Sequence, residues 1–494
     1  MENKFWHFFK PSSENAFLFM FFTTLILILI KFILTHSKPK NIPPGSLGFP
    51  ILGEAWSFQK ALSEDRFDEW VSERVAKYGP VFKTSLMGHR SIVMTGRAGN
   101  RFIFTANDNA LVGHQTAPVI SIIGDHSLFV LNGARHRLVK GAVFSFLRSE
   151  SLQRFVGVVD DIVKRHLMQT LDGKDMMRVI EPLKETTFKV MCRVIFGFEG
   201  EEVESNDHAS FFDDFLSLSK GLWSFPIYFP TTTYYRALGA RRRVVERMRA
   251  LVRRRKGEVE AGRAGAKSDI VSCLLCARDG ERGGGGVREE EIVDNLITLM
   301  MGSNSTAVSL LASFIKAVAR DDVVRKAVLE EQKKVMNEKE NRDGNLSWVD
   351  IQKMKYTWSV AQELMRTVSP AFGNQRRVVR DTTFNGFHIP KGWQVLWVTT
   401  THKDKDIFRH PEKFDPSRFT SGSSAPPFSY VPFGGGLHIC PGYDYVRILS
   451  LVVVHHLILN YRWSEMVADE PVTRNPFAYP AMGLPIKLYR RIES

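Results

Sequence analysis

Three stretches of this chain are apolar at nearly every position, and their flanks set them apart. Ala16 to Leu34 is broken only by Thr23, Thr24 and Lys31. That length just spans a bilayer as a helix. No small-residue cleavage site follows it, which favours a retained anchor over a removed signal peptide. Leu296 to Ile315 lies inside a longer segment, Glu289 to Arg320, that opens on acids and closes on a base. Such polarity suits a helix dipole, and an all-round apolar middle predicts a helix buried in a large protein. Tyr445 to Leu459 predicts a second buried helix.

Elsewhere the periods are shorter. Val81 to Leu86 and Ser91 to Thr95 alternate and predict two short paired strands. Phe384 to Gly392 carries Asn385-Gly386 and predicts a hairpin, with a strand over Val395 to Thr400. Ala240 to Lys256 predicts one strongly basic helix, and Gly283 to Gly286 a surface loop. Phe211 to Tyr235 is crowded with aromatics and punctuated by Pro226, Pro230 and three threonines. This region predicts core helices joined by a membrane-facing loop. Beyond the first apolar run, Ile42-Pro43-Pro44-Gly45 and Pro50 to Glu54 predict a stiff hinge turning into the globule. The organisation expected is a flank at 1–15, an anchor at 16–36, a hinge at 37–54 and one domain at 55–494. The 494 residues would allow about three domains, but no proline- or glycine-rich linker divides them.

Composition narrows the compartment and the partners. The four cysteines, Cys192, Cys273, Cys276 and Cys440, exclude a disulfide framework and favour a reducing cytosolic face. Cys273 and Cys276 form a lone C-x-x-C in an apolar run, without the second pair that zinc needs. The formal charge of +14 suits an anionic membrane surface or an acidic protein partner. No nucleic-acid motif accompanies it, so no nucleic-acid partner is expected. The apolar run carries Lys31, Lys38 and Lys40 on its C-terminal flank against Lys4 and Lys10, offset by Glu2 and Glu14, on its N-terminal flank, which leans toward a cytosolic main body.

The chemistry concentrates in Phe433-Gly434-Gly435-Gly436-Leu437-His438-Ile439-Cys440-Pro441-Gly442. Glycines let a backbone turn tightly and approach a flat cofactor. Cys440 stands at the start of the predicted helix, where the positive dipole end favours a thiolate. Every specified position of F-G-x-G-x-[R/H]-x-C-x-G is matched, and the loop resembles the haem-thiolate loop of the cytochrome P-450 family. The resemblance runs from about Pro43 to the end and includes the anchor. It implies a mainly α, triangular helical haem protein with a small β-rich region and a single N-terminal transmembrane helix. Among relatives it is similar to the plant branch that oxidises triterpenes, sterols, brassinosteroids and abscisic acid.

The resemblance also implies roles. Cys440 would be the axial ligand of haem b, iron protoporphyrin IX, with Phe433 beside it and His438 donating to a propionate. His136 and Lys140, four apart on one predicted helix face, match the propionate-binding pair of that family, lysine replacing arginine. Arg376, adjacent to Arg377, matches a second propionate arginine. Glu363 and Arg366, with Arg418 some fifty residues on, match a buried cluster that locks the cysteine loop. Met301-Gly302-Ser303-Asn304-Ser305-Thr306 aligns with the oxygen-activation segment [A/G]-G-x-[D/E]-T-T. On that alignment Asn304 replaces an acid, Ser305 a threonine and Met301 a small residue. Ser305 with Asn304 would relay protons, and Met301 would narrow the space above the iron. Ala481 and Met482, in a predicted turn at Tyr479 to Ile486, would line the substrate pocket.

The implied activity is hydroxylation of a hydrophobic small molecule, a triterpenoid, sterol or related terpenoid, by O2. Electrons would come from NADPH through NADPH-cytochrome P-450 reductase, at the endoplasmic reticulum membrane and among its lipid. Two alternatives stay open. One is a rearranging or dehydrating haem-thiolate enzyme that needs no NADPH, motivated by Asn304, Ser305 and Met301. The other is a non-catalytic haem protein that binds a steroid-like ligand or a gas.

Overall fold

A computed structural model describes residues 41–491 except 50–51, 87, 200–205, 279–284, 341–343, 421–424 and 475–476. It also describes residues 20, 21, 23 and 24. The expected anchor and the start of the hinge therefore lie largely outside the described residues.

Helices dominate. After α1 (Ala55–Ser63) and α2 (Phe67–Tyr78), strands β1 (Val81–Leu86) and β2 (His89–Met94) form the antiparallel pair expected, Val81 opposite Met94. Then come α3 (Gly96–Thr105), β3 (Leu111–Val112), α4 (Ala117–Ile123), α5 (Gly133–Leu147), β4 (Met176–Arg178) and α6 (Ile180–Val194). A pair of long helices follows, α7 (Asn206–Leu222) and α8 (Thr233–Glu260), then α9 (Ile270–Cys276). The centre is α10 (Glu289–Arg320), with α11 (Asp322–Asn337) and α12 (Lys355–Thr367) after it. The carboxy-terminal third adds β5 (Gly373–Val378), the hairpin β6 (Thr382–Phe384) and β7 (Phe387–Ile389), and β8 (Gln394–Val398). The last elements are α13 (Tyr443–Asn460), β9 (Tyr461–Glu465), β10 (Val472–Arg474), β11 (Ala478–Pro480) and β12 (Pro485–Arg490).

One sheet has five strands in the order β1-β2-β8-β5-β3, parallel only between β2 and β8. The smaller sheets are β4-β12-β9 and the pairs β6-β7 and β10-β11. The sheet carries its own apolar clusters, whereas α10 and α13 run through the main core with α5, α6, α7 and α8. Both buried helices read from the sequence are therefore present. Among the described residues α10 alone is long and apolar enough to cross a membrane, but 72% of its apolar window is buried in the molecule. It is a core helix.

The aromatic region divides as its punctuation suggests. Phe211 and Phe215 on α7 are buried against Phe188, ring centroids 5.0 and 5.1 Å apart. The loop from α7 to α8 exposes Trp223, Phe225, Ile227, Tyr228 and Phe229.

Candidate active site

The cysteine loop is fixed by backbone geometry and by a brace behind it. Gly434 and Gly436 have φ of +70° and +64°, and a Cβ on Gly436 would lie 1.8 Å from the Phe104 carbonyl oxygen. Only glycine fits there. The Cys440 N–H donates to the Phe433 carbonyl at 2.9 Å, and the Gly442 N–H points at Cys440 Sγ at 3.4 Å. Cys440 has accessible surface yet protein surrounds its thiol, so it opens onto an interior space rather than bulk solvent. Burial pushes the thiol pKa up; the Gly442 amide and the Lys140 charge oppose that.

The brace is the carboxylate cluster. Glu363 and Arg366 on α12 are fully buried and paired through two bonds of 2.7 Å. Glu363 also accepts from the Asp415 N–H at 2.9 Å, and Arg418 Nε lies 3.4 Å from it at a poor hydrogen-bonding angle. The Arg418 guanidinium instead donates to the Arg409 and His410 carbonyls at 2.7 and 2.9 Å. Arg366 donates to the His402 carbonyl at 2.9 Å. His402 Nε2 accepts the Val431 N–H at 2.8 Å, while Nδ1 pairs with Ser369 Oγ at 3.0 Å. Burial and then the Arg366 charge hold His402 neutral, with a pKa lowered to about 3. His402 thus joins the cluster to the segment leading into the cysteine loop. Sequence reasoning missed it, because a lone histidine in Thr401-His402-Lys403 carries no pattern.

A group of basic side chains surrounds the loop. His136 on α5 stacks near His438, ring centroids 4.4 Å apart. Lys140, one turn on, donates to the Leu437 carbonyl. Arg376 on β5 is buried and Arg377 exposed, which separates that pair. Burial lowers the Arg376 pKa to about 10. His136 falls to about 4 through burial and then Lys140, and His438 to about 3 through burial and then Arg376. His438 Nε2 is buried without a hydrogen-bond partner, 4.0 Å from Asp108 Oδ1. Leu437 and Ile439 are 42% and 41% exposed on the loop. A flat apolar cofactor bearing two carboxylates fits these residues: a sulfur donor, apolar side chains to lie on, a buried Arg376 and a half-buried Lys140 with no acid beside them, and two neutral imidazoles able to donate hydrogen bonds. Phe433 packs edge-on against Tyr443, centroids 5.2 Å apart.

On α10 the open face differs from the one expected by one residue. Met301 is 6% exposed, its sulfur 4.0 Å from Ser219 Oγ on α7. Asn304 is buried, donating to the Lys184 carbonyl at 2.8 Å and to Thr187 Oγ1 at 2.6 Å, both on α6. Its amide hydrogens are spent on holding two helices together. The Ser305 carbonyl accepts from the Tyr479 phenol at 2.6 Å. Gly302 is exposed in an otherwise buried helix, and a Cβ there would meet nothing within 4 Å. Thr306, one turn on, donates its hydroxyl to the Gly302 carbonyl at 2.8 Å. The face that opens carries Gly302 and Thr306, a hydroxyl sequence reasoning passed over. Shifting the motif one residue would align Gly302 with its first small position and Thr306 with its first threonine, while putting Ser303 on its glycine and Ala307 on its second threonine. The acid position then falls on Ser305.

The carboxy-terminal turn lies where expected, at Ala481 and Met482 between β11 and β12, with the Gly483 N–H donating to the Pro480 carbonyl at 3.2 Å. In β10-β11, Val472 pairs with Pro480 and Arg474 with Ala478. Ala481 and Met482 are exposed, their N–H groups held by the Pro471 carbonyl and the Glu470 carboxylate. From β11 both Tyr479 and the Ala478 carbonyl reach α10.

Comparison with known proteins agrees with this geometry. The Cytochrome P450 family model matches residues 43–490. A β-amyrin 28-monooxygenase of Barbarea vulgaris is 35% identical over 96% of this chain and 98% of its own length. A taxane 13-alpha-hydroxylase of Taxus cuspidata is 34% identical over 92% and 93%. The retinoic acid-bound cyanobacterial CYP120A1 superposes with a TM-score of 0.80 at 28% identity, covering 91% of this chain and 99% of that one. The chain belongs to the cytochrome P450 family, haem-dependent monooxygenases.

Proposed function

We propose that this enzyme hydroxylates a triterpenoid or a related polycyclic terpenoid. The observation that carries the reading is near full-length similarity to β-amyrin 28-monooxygenases of Barbarea vulgaris, Vitis vinifera and Medicago truncatula, at 34–35% identity. One oxygen atom of O2 enters a C–H bond, and the other leaves as water with two electrons from NADPH and two protons. Haem, bound through Cys440, supplies the activation of O2. Arg376 and Lys140 would neutralise its carboxylates, His438 and His136 would donate hydrogen bonds to them, and Phe433 would pack beside the sulfur. Glu363, Arg366 and Arg418 hold the loop that presents Cys440.

On the other wall Thr306 holds water and moves a proton at its Oγ1. Gly302 leaves room beside it, and Asn304 keeps α10 against α6. Ser305 borders the relay through its carbonyl, and Met301 supports the helix from behind. Ala481 and Met482 act on the pocket only through the hairpin they follow. A threonine on the open face removes the motive for the rearranging alternative. An amino-terminal anchor at 16–36 and the exposed aromatic loop between α7 and α8 would hold the enzyme at the endoplasmic reticulum membrane. There an NADPH-cytochrome P-450 reductase would reach it.

The test is incubation of membranes containing the enzyme and a reductase with NADPH and β-amyrin, lupeol and sterol substrates. A hydroxylated product that requires NADPH supports the reading. Product from none of them, with an intact haem spectrum, removes the terpenoid assignment.

A further inference from the structure

The hairpin β10-β11 is attached along one stripe of α10. At its base Lys316 donates to the Glu470 carbonyl at 2.9 Å. Ser309 Oγ, fully buried, donates to the Ala478 carbonyl at 2.7 Å. Nearest the amino-terminal end of α10, Tyr479 Oη donates to the Ser305 carbonyl at 2.6 Å. Positions 305, 309 and 316 are four and seven residues apart and share a helix face. The hairpin therefore lies along the helix, and its last attachment adjoins Thr306.

That last attachment has an uncommon acceptor. In a regular helix the Ser305 carbonyl is already used by the N–H four residues on, so the phenol is a second donor to it. Gly302, one turn earlier, takes an extra donor in the same way from Thr306. The Tyr479 ring is held from its other side, with the Lys184 ammonium 5.7 Å from its centroid. Lys184 in turn accepts the Asn304 amide. A ring of contacts, Lys184 to Asn304 to Ser305 to Tyr479 and back, closes around the turn of α10 that precedes Thr306. Burial raises the phenol pKa, so it stays a donor.

We propose that Tyr479 is a positioning residue: through the Ser305 carbonyl it pins the hairpin against the face of α10 bearing Gly302 and Thr306, and so sets how a bulky ligand sits over that face. The proposal deepens the monooxygenase reading, on which it depends for the identity of that face. Phenylalanine would keep the packing and lose only the pin. A hydrogen bond worth about 1 kcal/mol shifts the pinned population about fivefold.

The test uses the full-length holoprotein with Tyr479→Phe, Ser309→Ala and, as a control, Tyr489→Phe at a tyrosine 45% exposed on β12. Two quantities are measured: amide hydrogen exchange of the 472–481 segment, and dissociation constants of ketoconazole and imidazole from haem absorbance. Tyr479→Phe should speed exchange about fivefold and change ketoconazole affinity, leaving imidazole affinity as in the parent. Ser309→Ala should do the same to a smaller degree, and gives the answer if Tyr479→Phe does not fold. Parental exchange and parental affinities in both variants would overturn the proposal. So would equal shifts for the large and the small ligand, which would place the effect at the iron. An absence of any azole spectrum in the parent would instead defeat the monooxygenase reading, while exchange would still report whether Tyr479 pins the hairpin.

Discussion

The two walls of the active site are built on different principles. The cysteine loop is held by features that tolerate one residue type each: left-handed glycines, a fully buried ion pair, and a histidine that ties the segment after α12 to the segment entering the loop. The opposite wall is a long helix whose backbone would be the same for many sequences. Only the direction of each side chain distinguishes Met301, Gly302 and Thr306. Substitution in the first wall should therefore break the fold, and substitution in the second should alter chemistry in an intact fold.

The largest effect tests the first half of that contrast. Arg366→Ala leaves Glu363 charged and buried, at a cost of about 3–5 kcal/mol. Haem incorporation should collapse and thermal unfolding should move sharply down. A folded, haem-replete variant would equate the two walls.

On the helix wall, Thr306→Ala should cut product formation about a hundredfold, with melting temperature and haem content kept. Ser305→Ala, whose carbonyl remains, should change turnover far less. The reverse order, measured as product per NADPH consumed, would restore the unshifted motif.

A third measurement addresses the joint between the walls. Glu291 on α10 binds Arg135 on α5, the helix that carries His136 and Lys140. Burial raises the Glu291 pKa, but Arg135 and Arg288 more than offset it and bring it to about 2, below the ordinary 4.5. Its stabilisation is therefore complete above about pH 4.5 and lost as pH falls toward 2. It amounts to about 2 kcal/mol once the partial exposure of Arg135 is allowed for. Glu291→Gln should flatten stability against pH over that window, read from urea titrations; an unchanged slope would dissociate the joint from acid lability.

The smallest effect concerns Asn304. Asn304→Ala removes two hydrogen bonds to α6 and should cost about 1–2 kcal/mol, seen as a modest fall in melting temperature with the product pattern retained. A loss of turnover without loss of stability would return Asn304 to the proton relay.

How legible each wall was follows from the same physics. The loop motif is legible because its glycines, cysteine and histidine each answer a steric or chemical demand at a fixed position. The long helices, the β1-β2 pair and the Asn385-Gly386 hairpin were legible from periodicity. The helix face was not, since one residue of misalignment turns a side chain by about 100° around a helix. Met301 and Asn304 were thus read as facing the pocket when they face α7 and α6. The turn within Tyr479 to Ile486 was legible from its proline and glycine, and Ala481 and Met482 form it between β11 and β12. His402 gave no signal, because its role depends on partners at 366, 369 and 431 that only the fold assembles.

The most direct measurement is the carbon monoxide difference spectrum of the reduced protein, recorded for the parent, Cys440→Ser and Thr306→Ala. The parent and Thr306→Ala should show the red-shifted Soret band of thiolate-ligated haem, and Cys440→Ser should not. Retention of that band in Cys440→Ser would contradict the assignment of the sulfur, and its loss in Thr306→Ala would contradict the division between the two walls.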